Sequence, residues 1–130
     1  MKLQFRILIY LVLAVLYFFS TLLLMSIDSK LKINEVFITV PCGFILINLV
    51  YTFLFLKLKP ILNILCAVII PFLSLFLALH FSDLHLFSRY DSYDIGTAII
   101  ANAVLPVFFW EILYQIKKIS NKKTPQTNEN

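Results

Sequence analysis

The residues best suited to chemistry in this 130-residue chain lie in the segment 80–94. It contains His80, Asp83 and His85, and imidazole and carboxylate groups are common ligands of zinc and copper. Their H-x-x-D-x-H spacing matches no strong metal signature, so we predict no metal and no cofactor. The sequence also has no nucleophile beside a base and no glycine-rich phosphate loop, and we therefore do not expect an enzyme.

Three polar side chains interrupt long apolar runs elsewhere: Asn48, Asn102 and Glu111. An unpaired amide is costly in hydrocarbon, so we expect both asparagines to bond to other helices, with a polar lining for a solute as the alternative. Glu111 is the only carboxylate inside a run. We expect it to be paired or capped near the membrane surface, with Gln115 and Lys118 on its face, and a coupling or gating role is the alternative.

The elements that must position these groups are four apolar runs, at residues 7–25, 36–56, 61–79 and 95–116. A helix rises about 1.5 Å per residue, so runs of about 20 residues match a hydrocarbon core of about 30 Å. The chain is 61% hydrophobic and 14% charged, against about 45–50% and about 25% in soluble domains. We predict an all-α membrane protein with four transmembrane helices in one domain (residues 1–119) and a disordered tail (residues 120–130).

The cations of the chain predict its threading. Three of them would lie on one side, and the other eight would share the side of both termini: Lys2, Arg6, Lys57, Lys59, Lys117, Lys118, Lys122 and Lys123. The positive-inside rule then places both termini in the cytoplasm. We predict a multi-pass protein of the cell membrane, the inner membrane in a bacterium. The cations sit where they meet lipid head groups, so the net charge of +4 does not predict nucleic-acid binding.

Small residues and prolines indicate how the helices pack. Thr97 and Ala101 form a small-x-x-x-small pair that favours close helix approach in the fourth span. The first span offers mainly Leu, Ile, Val and Phe, so we expect more of it, including Leu13, to face lipid. Each later span holds one proline, which predicts bent helices or, alternatively, a broken helix lining a pathway.

The segment 80–94 is the longest outer connection, and we expect it to lie at the membrane interface. Aromatic and arginine side chains are frequent interface anchors, so we predict binding through Arg89, Tyr90, Asp91 and Tyr93. The favoured function is recognition of another membrane protein, as an accessory subunit or as an immunity protein against a pore-forming toxin. The alternative is a small oligomeric transporter or channel for a solute or lipid carrier. Expected partners are membrane lipids, another membrane protein or toxin, and a second copy of the chain.

Overall fold

The computed structural model describes residues 1–32, 35–85 and 94–123. It contains four long helices, α1 (Leu3–Leu31), α2 (Val36–Tyr51), α3 (Pro60–Ser82) and α4 (Ile95–Lys123), and a π-helical turn (Thr52–Leu56) that continues α2. The described residues contain no strand. Each helix, with α2 counted together with its π-helical turn, is long and apolar enough to cross a membrane. The predicted all-helical class, with four helices long and apolar enough to span a membrane, is therefore confirmed, while the orientation of the termini stays a prediction.

The helices extend beyond the apolar runs in three of the four spans. Only the second, Val36–Leu56, has the predicted limits. The apolar run marks the part of a helix that suits hydrocarbon, whereas the backbone hydrogen bonds of the helix can continue among polar side chains. α4 accordingly continues to Lys123, through the first four residues of the predicted tail. Residues 124–130 lie outside the described part.

The helices form a ring in which each packs against the next, and α4 closes it by packing against α1. The α2–α3 connection lies beside α4, because the Lys117 ammonium donates hydrogen bonds to the carbonyls of Leu56 and Lys57. This connection and both chain ends form what we call the terminal end of the bundle. The α1–α2 and α3–α4 connections form the loop end.

The α2–α3 connection is held by its own side chains. Lys57 takes a left-handed conformation with φ of 48°, and Pro60 begins α3, where its missing N–H costs nothing. The Asn63 amide accepts a hydrogen bond from Leu58 N (3.2 Å) and donates one to Leu58 O (3.1 Å). Asn63 is thus a structural clamp for this turn.

α1 buries only one narrow stripe of its surface. Buried positions recur at intervals of four and seven residues, at Arg6, Leu13, Tyr17, Thr21 and Asp28, while most of its remaining apolar side chains are exposed. The expectation that Leu13 faces lipid is wrong, since it is 6% exposed and belongs to the core. Leucine suits lipid and protein interior equally, so its residue type did not distinguish the two faces.

α1 and α2 approach closely at Gly43. A Cβ atom at this position would lie 2.2 Å from Leu24 Cδ1, far inside van der Waals contact. The end of the Leu24 side chain therefore occupies the space that a side chain at position 43 would need.

Candidate functional site

A buried hydrogen-bonded cluster of three large side chains lies at the centre of the bundle. The Tyr17 hydroxyl donates to Asn48 Oδ1 and accepts a hydrogen bond from Trp110 Nε1 at 3.0 Å. All three residues are fully buried, and they come from α1, α2 and α4. One tyrosine hydroxyl thus joins three helices and satisfies two polar groups that would be costly if left unpaired.

Asn48 also compensates for a proline. Pro71 has no N–H, so the carbonyl four residues earlier in α3, that of Ala67, loses its helical donor. Asn48 Nδ2 donates to this carbonyl at 3.5 Å. The asparagine predicted to bond to other helices therefore contacts both α1 and α3, and its second contact is explained by the proline of α3.

Polar contacts continue from this cluster toward the loop end. Thr21 Oγ1 donates to Tyr17 O at 2.8 Å and accepts a hydrogen bond from Asn102 Nδ2 at 3.2 Å. Asn102 is 1% exposed, and its Oδ1 atom has no hydrogen-bond partner. The chain of contacts thus ends on a free buried acceptor.

At the terminal end, Glu111 of α4 faces α1. Arg6 Nε lies 3.1 Å from Glu111 Oε2, and the Arg6 guanidinium stacks over the Tyr114 ring at 4.4 Å. Gln115 Nε2 donates to Glu111 Oε1 at 2.6 Å. The contact between Glu111 and Gln115 agrees with the expectation that they share a helix face. The cation that pairs with Glu111 is Arg6 of α1 and not Lys118.

Aromatic side chains fill the space between the Arg6–Glu111 pair and the central cluster. The Tyr51 hydroxyl donates to that of Tyr10 at 3.4 Å, and the Tyr51 ring lies 5.2 Å from the Trp110 ring, centroid to centroid. We call the whole series the polar axis. Its members, in order from the terminal end toward the loop end, are Arg6, Glu111, Tyr10, Tyr51, Trp110, Tyr17, Asn48, Thr21 and Asn102. From Arg6 to Thr21 it follows α1 for about 22 Å, most of the thickness of a hydrocarbon core.

A cavity of about 220 Å³ occupies the other part of the bundle interior, between the central cluster and the loop end. All four helices contribute to its walls, which are mostly apolar. Its polar lining comes from four residues: Thr21, Ser82, Asp94 and Asn102. The polar axis and the cavity meet at Thr21 and Asn102, so a molecule in the cavity would lie against the end of the axis.

Asp94 lies in the cavity wall at the loop end, directly before α4. Its backbone has φ of 55°, and its carbonyl accepts hydrogen bonds from Ala98 N and Ser82 Oγ, each at 3.1 Å. The carboxylate contacts His85 Nδ1 through Oδ2, while Oδ1 has no partner. Asp94 is only 5% exposed, so the wall of the cavity contains a second buried acceptor without a partner.

The other predicted site residues lie apart from this arrangement or outside the described residues. Thr97 and Ala101 are partly buried on α4, whose most buried positions are instead the four core residues Asn102, Ala103, Pro106 and Trp110. Arg89, Tyr90, Asp91 and Tyr93 all lie outside the described residues. Among the described residues, no three His, Cys, Asp or Glu side chains are placed to hold a metal ion.

Sequence reasoning did not identify Tyr17, Trp110, Arg6 or Asp94 as members of one site. A signal was present in α4, where Asn102, Pro106 and Trp110 recur every four residues and so share a face. The pairing with α1 had no comparable signal, because Arg6 and Glu111 are 105 positions apart.

A scan against protein-family models finds no match, and neither do searches of curated proteins and of solved structures.

Proposed function

We propose that this protein is a small membrane carrier that binds a solute in the cavity from the loop end and releases it at the terminal end. The observation that carries the proposal is the asymmetry of the interior. One part of the bundle holds a cavity whose wall includes Asp94 and Asn102, and the remainder is filled by the polar axis and the apolar core around it. Solute sites near the membrane midplane with access from one side at a time are typical of carriers.

The Arg6–Glu111 pair is the proposed gate at the terminal end. The Arg6 and Glu111 side chains are 11% and 33% exposed, and Glu111 Oε2 accepts no aligned hydrogen bond. Removing one partner of such a pair leaves a poorly solvated charge, which favours conformations in which water reaches it. We propose that opening this pair admits water from the terminal end.

Three buried prolines support movement of the helices. Pro41, Pro71 and Pro106 lie inside α2, α3 and α4, with their side chains toward the bundle interior. Each removes one helical hydrogen bond, which lowers the cost of bending at that point. Bending in three of the four helices would let the two ends of the bundle open alternately.

Cysteine accessibility tests this proposal without knowledge of the solute. In a background with Cys42 and Cys66 replaced by alanine, Ala98→Cys places a thiol in the cavity wall. We expect a membrane-impermeant cationic methanethiosulfonate reagent to modify it from the loop end. Adding Glu111→Gln should raise its reactivity from the terminal end about tenfold, equivalent to about 1.4 kcal/mol in the gating equilibrium.

Two variants serve as controls for this experiment. Val104→Cys lies on the exposed side of the same helix, where lipid should exclude the reagent from both sides. Lys118→Gln changes one exposed charge at the terminal end and should leave the reactivity of Ala98→Cys unaltered. If Ala98→Cys stays unreactive from the terminal end with both Glu111→Gln and Arg6→Gln, the cavity is a static pocket and the carrier proposal is wrong.

A second candidate function is recognition of another membrane protein. It is favoured by an apolar groove of about 540 Å³ between α1 and α2, lined by side chains that include Leu8, Val12, Leu46 and Phe55. A groove of this kind suits a transmembrane helix of a partner protein. The groove lies in the terminal half of the bundle, whereas the contact residues predicted from the sequence belong to the α3–α4 connection at the loop end.

One pair of variants separates the two candidates. For a partner-binding protein, replacing Arg89, Tyr90 and Tyr93 together with alanine should abolish capture of the partner or protection from it, and Glu111→Gln should have little effect. For a carrier, Glu111→Gln should abolish function and the triple alanine variant should have little effect. The comparison is made in one functional assay at matched membrane level, and loss of function only in the triple variant would favour recognition.

A further inference from the structure

We infer that the cavity selects a small molecule that carries an ammonium group on an apolar body. This inference rests on the proposed function, because it takes the same cavity as the solute site. It assigns a chemical class to the ligand from the groups that the cavity leaves unpaired.

Two of the residues that line the cavity carry a side-chain oxygen without a hydrogen-bond partner, and both of these oxygens are covered by neighbouring atoms. Asn102 Oδ1 lies at the inner end of the cavity and Asp94 Oδ1 toward the loop end, and both residues are more than nine-tenths buried. The donor capacity of the Asn102 amide already goes in part to Thr21. If either side chain rotates to turn its oxygen into the cavity, a ligand that supplies N–H donors would satisfy a group that is costly to bury alone, whereas a ligand with acceptors only would add to the mismatch.

The charge of the lining favours a cation over a neutral donor. Asp94 contributes a carboxylate, and no lysine or arginine is among the described residues that line the cavity. His85 contacts the other carboxylate oxygen, with most of its own side chain exposed. An ammonium group in the cavity would therefore lie beside the Asp94 carboxylate, and rotation of that side chain would allow a charge-assisted hydrogen bond.

The size and the walls of the cavity define the rest of the molecule. Apart from the four polar residues, the lining side chains are apolar, among them Val40, Leu75 and Ile99. An engineered apolar cavity of about 150 Å³ binds benzene. At about 220 Å³, this cavity accommodates an aromatic ring or short alkyl chain with an amine on a short tail.

Binding of three matched probes to the purified protein in a nonionic maltoside detergent tests the inference. The probes are 2-phenylethylamine, 2-phenylethanol and 3-phenylpropionate, which keep the ring and change the head group from cation to neutral to anion. We expect the amine to bind about tenfold more tightly than the alcohol, and the carboxylate not to bind. Equal affinity for all three probes, or none for any amine, would overturn the inference.

Variants locate the site. Asp94→Asn should weaken binding of the amine about tenfold and leave the affinity for the alcohol unchanged. The control is Asp83→Asn, the same change at an exposed position at the same end of the bundle, and it should leave the affinity for both probes unchanged. Ala98→Leu fills the cavity and should abolish binding of both. If Asp94→Asn does not fold, the probe comparison on the unaltered protein and the Ala98→Leu variant still decide the question. Unaltered amine binding in Ala98→Leu would place the amine elsewhere and overturn the assignment.

An ammonium group can also belong to a lipid, so a competition experiment distinguishes the two sources. If short-chain phosphatidylethanolamine displaces 2-phenylethylamine and phosphatidylglycerol does not, the ligand is a lipid head group and the ammonium class is supported. Failure of both lipids to compete would support a free amine. Amine binding in a protein whose Ala98→Cys thiol never becomes accessible from the terminal end would retain the ligand and reject only the carrier function.

Discussion

The Tyr17 hydroxyl is the residue-scale feature on which the bundle interior most depends. It is the shared partner of Asn48 Oδ1 and Trp110 Nε1. Tyr17→Phe keeps the ring against Phe44 but leaves an indole N–H and an amide oxygen unpaired. We expect it to lower the free energy of unfolding by about 1–3 kcal/mol, measured by denaturant titration in mild detergent.

Tyr10→Phe is the matched control for this prediction. Tyr10 is only partly buried and its hydroxyl contacts that of Tyr51 at 3.4 Å and the Glu111 carboxylate, so its loss should cost about 0.6 kcal/mol. Trp110, the only tryptophan, should report Tyr17→Phe by a shift in its fluorescence emission. Equal costs for the two variants would contradict the central role of the Tyr17 hydroxyl.

At the scale of the elements, the contact between α1 and α2 leaves no room for a large side chain at Gly43. Gly43→Leu places a large side chain where even a Cβ atom meets Leu24, and overpacking of this kind costs about 1–3 kcal/mol. Gly43→Ala should be nearly neutral, because Leu24 can rotate away and alanine gains about 1 kcal/mol of helix propensity over glycine. Thermal unfolding in detergent measures both effects.

Gly96 provides the control on another helix. It lies in the first turn of α4 and is exposed, so Gly96→Leu should not lower the unfolding temperature. A loss of stability in Gly96→Leu as large as that in Gly43→Leu would show that any leucine in a glycine position destabilises the bundle. The close approach of α1 and α2 would then not be the cause.

At the scale of the whole molecule, the testable property is the direction in which the bundle crosses the membrane. The eight-to-three division of cations predicts that the terminal end faces the cytoplasm. Reporter fusions after Lys59 and Lys118 should give a cytoplasmic signal, and a fusion after Asp91 an external one. An external signal at Lys118 would reverse the threading and place the proposed entrance of the cavity in the cytoplasm.

Homo-oligomer formation also stays a prediction.

The sequence by itself determined the number of spanning helices and their approximate limits. The cause is a property of the solvent: hydrocarbon requires about 20 consecutive apolar residues with all backbone groups bonded within the helix. It also indicated that Asn48, Asn102 and Glu111 would need partners, because isolated polar groups are costly in the bilayer.

Only the tertiary structure decided which partners those residues have and which helix faces are buried. In a soluble helix, polarity marks the outer face, but lipid is as apolar as a protein core, so the rotation of α1 could not be read from its leucines. Leu13 was misplaced for this reason. Tyr17 meets Asn48 and Trp110, and Arg6 meets Glu111, only after four helices have taken their rotations and depths. The cavity forms where the facing surfaces of the four helices do not fill the space between them, so it too depends on the tertiary packing.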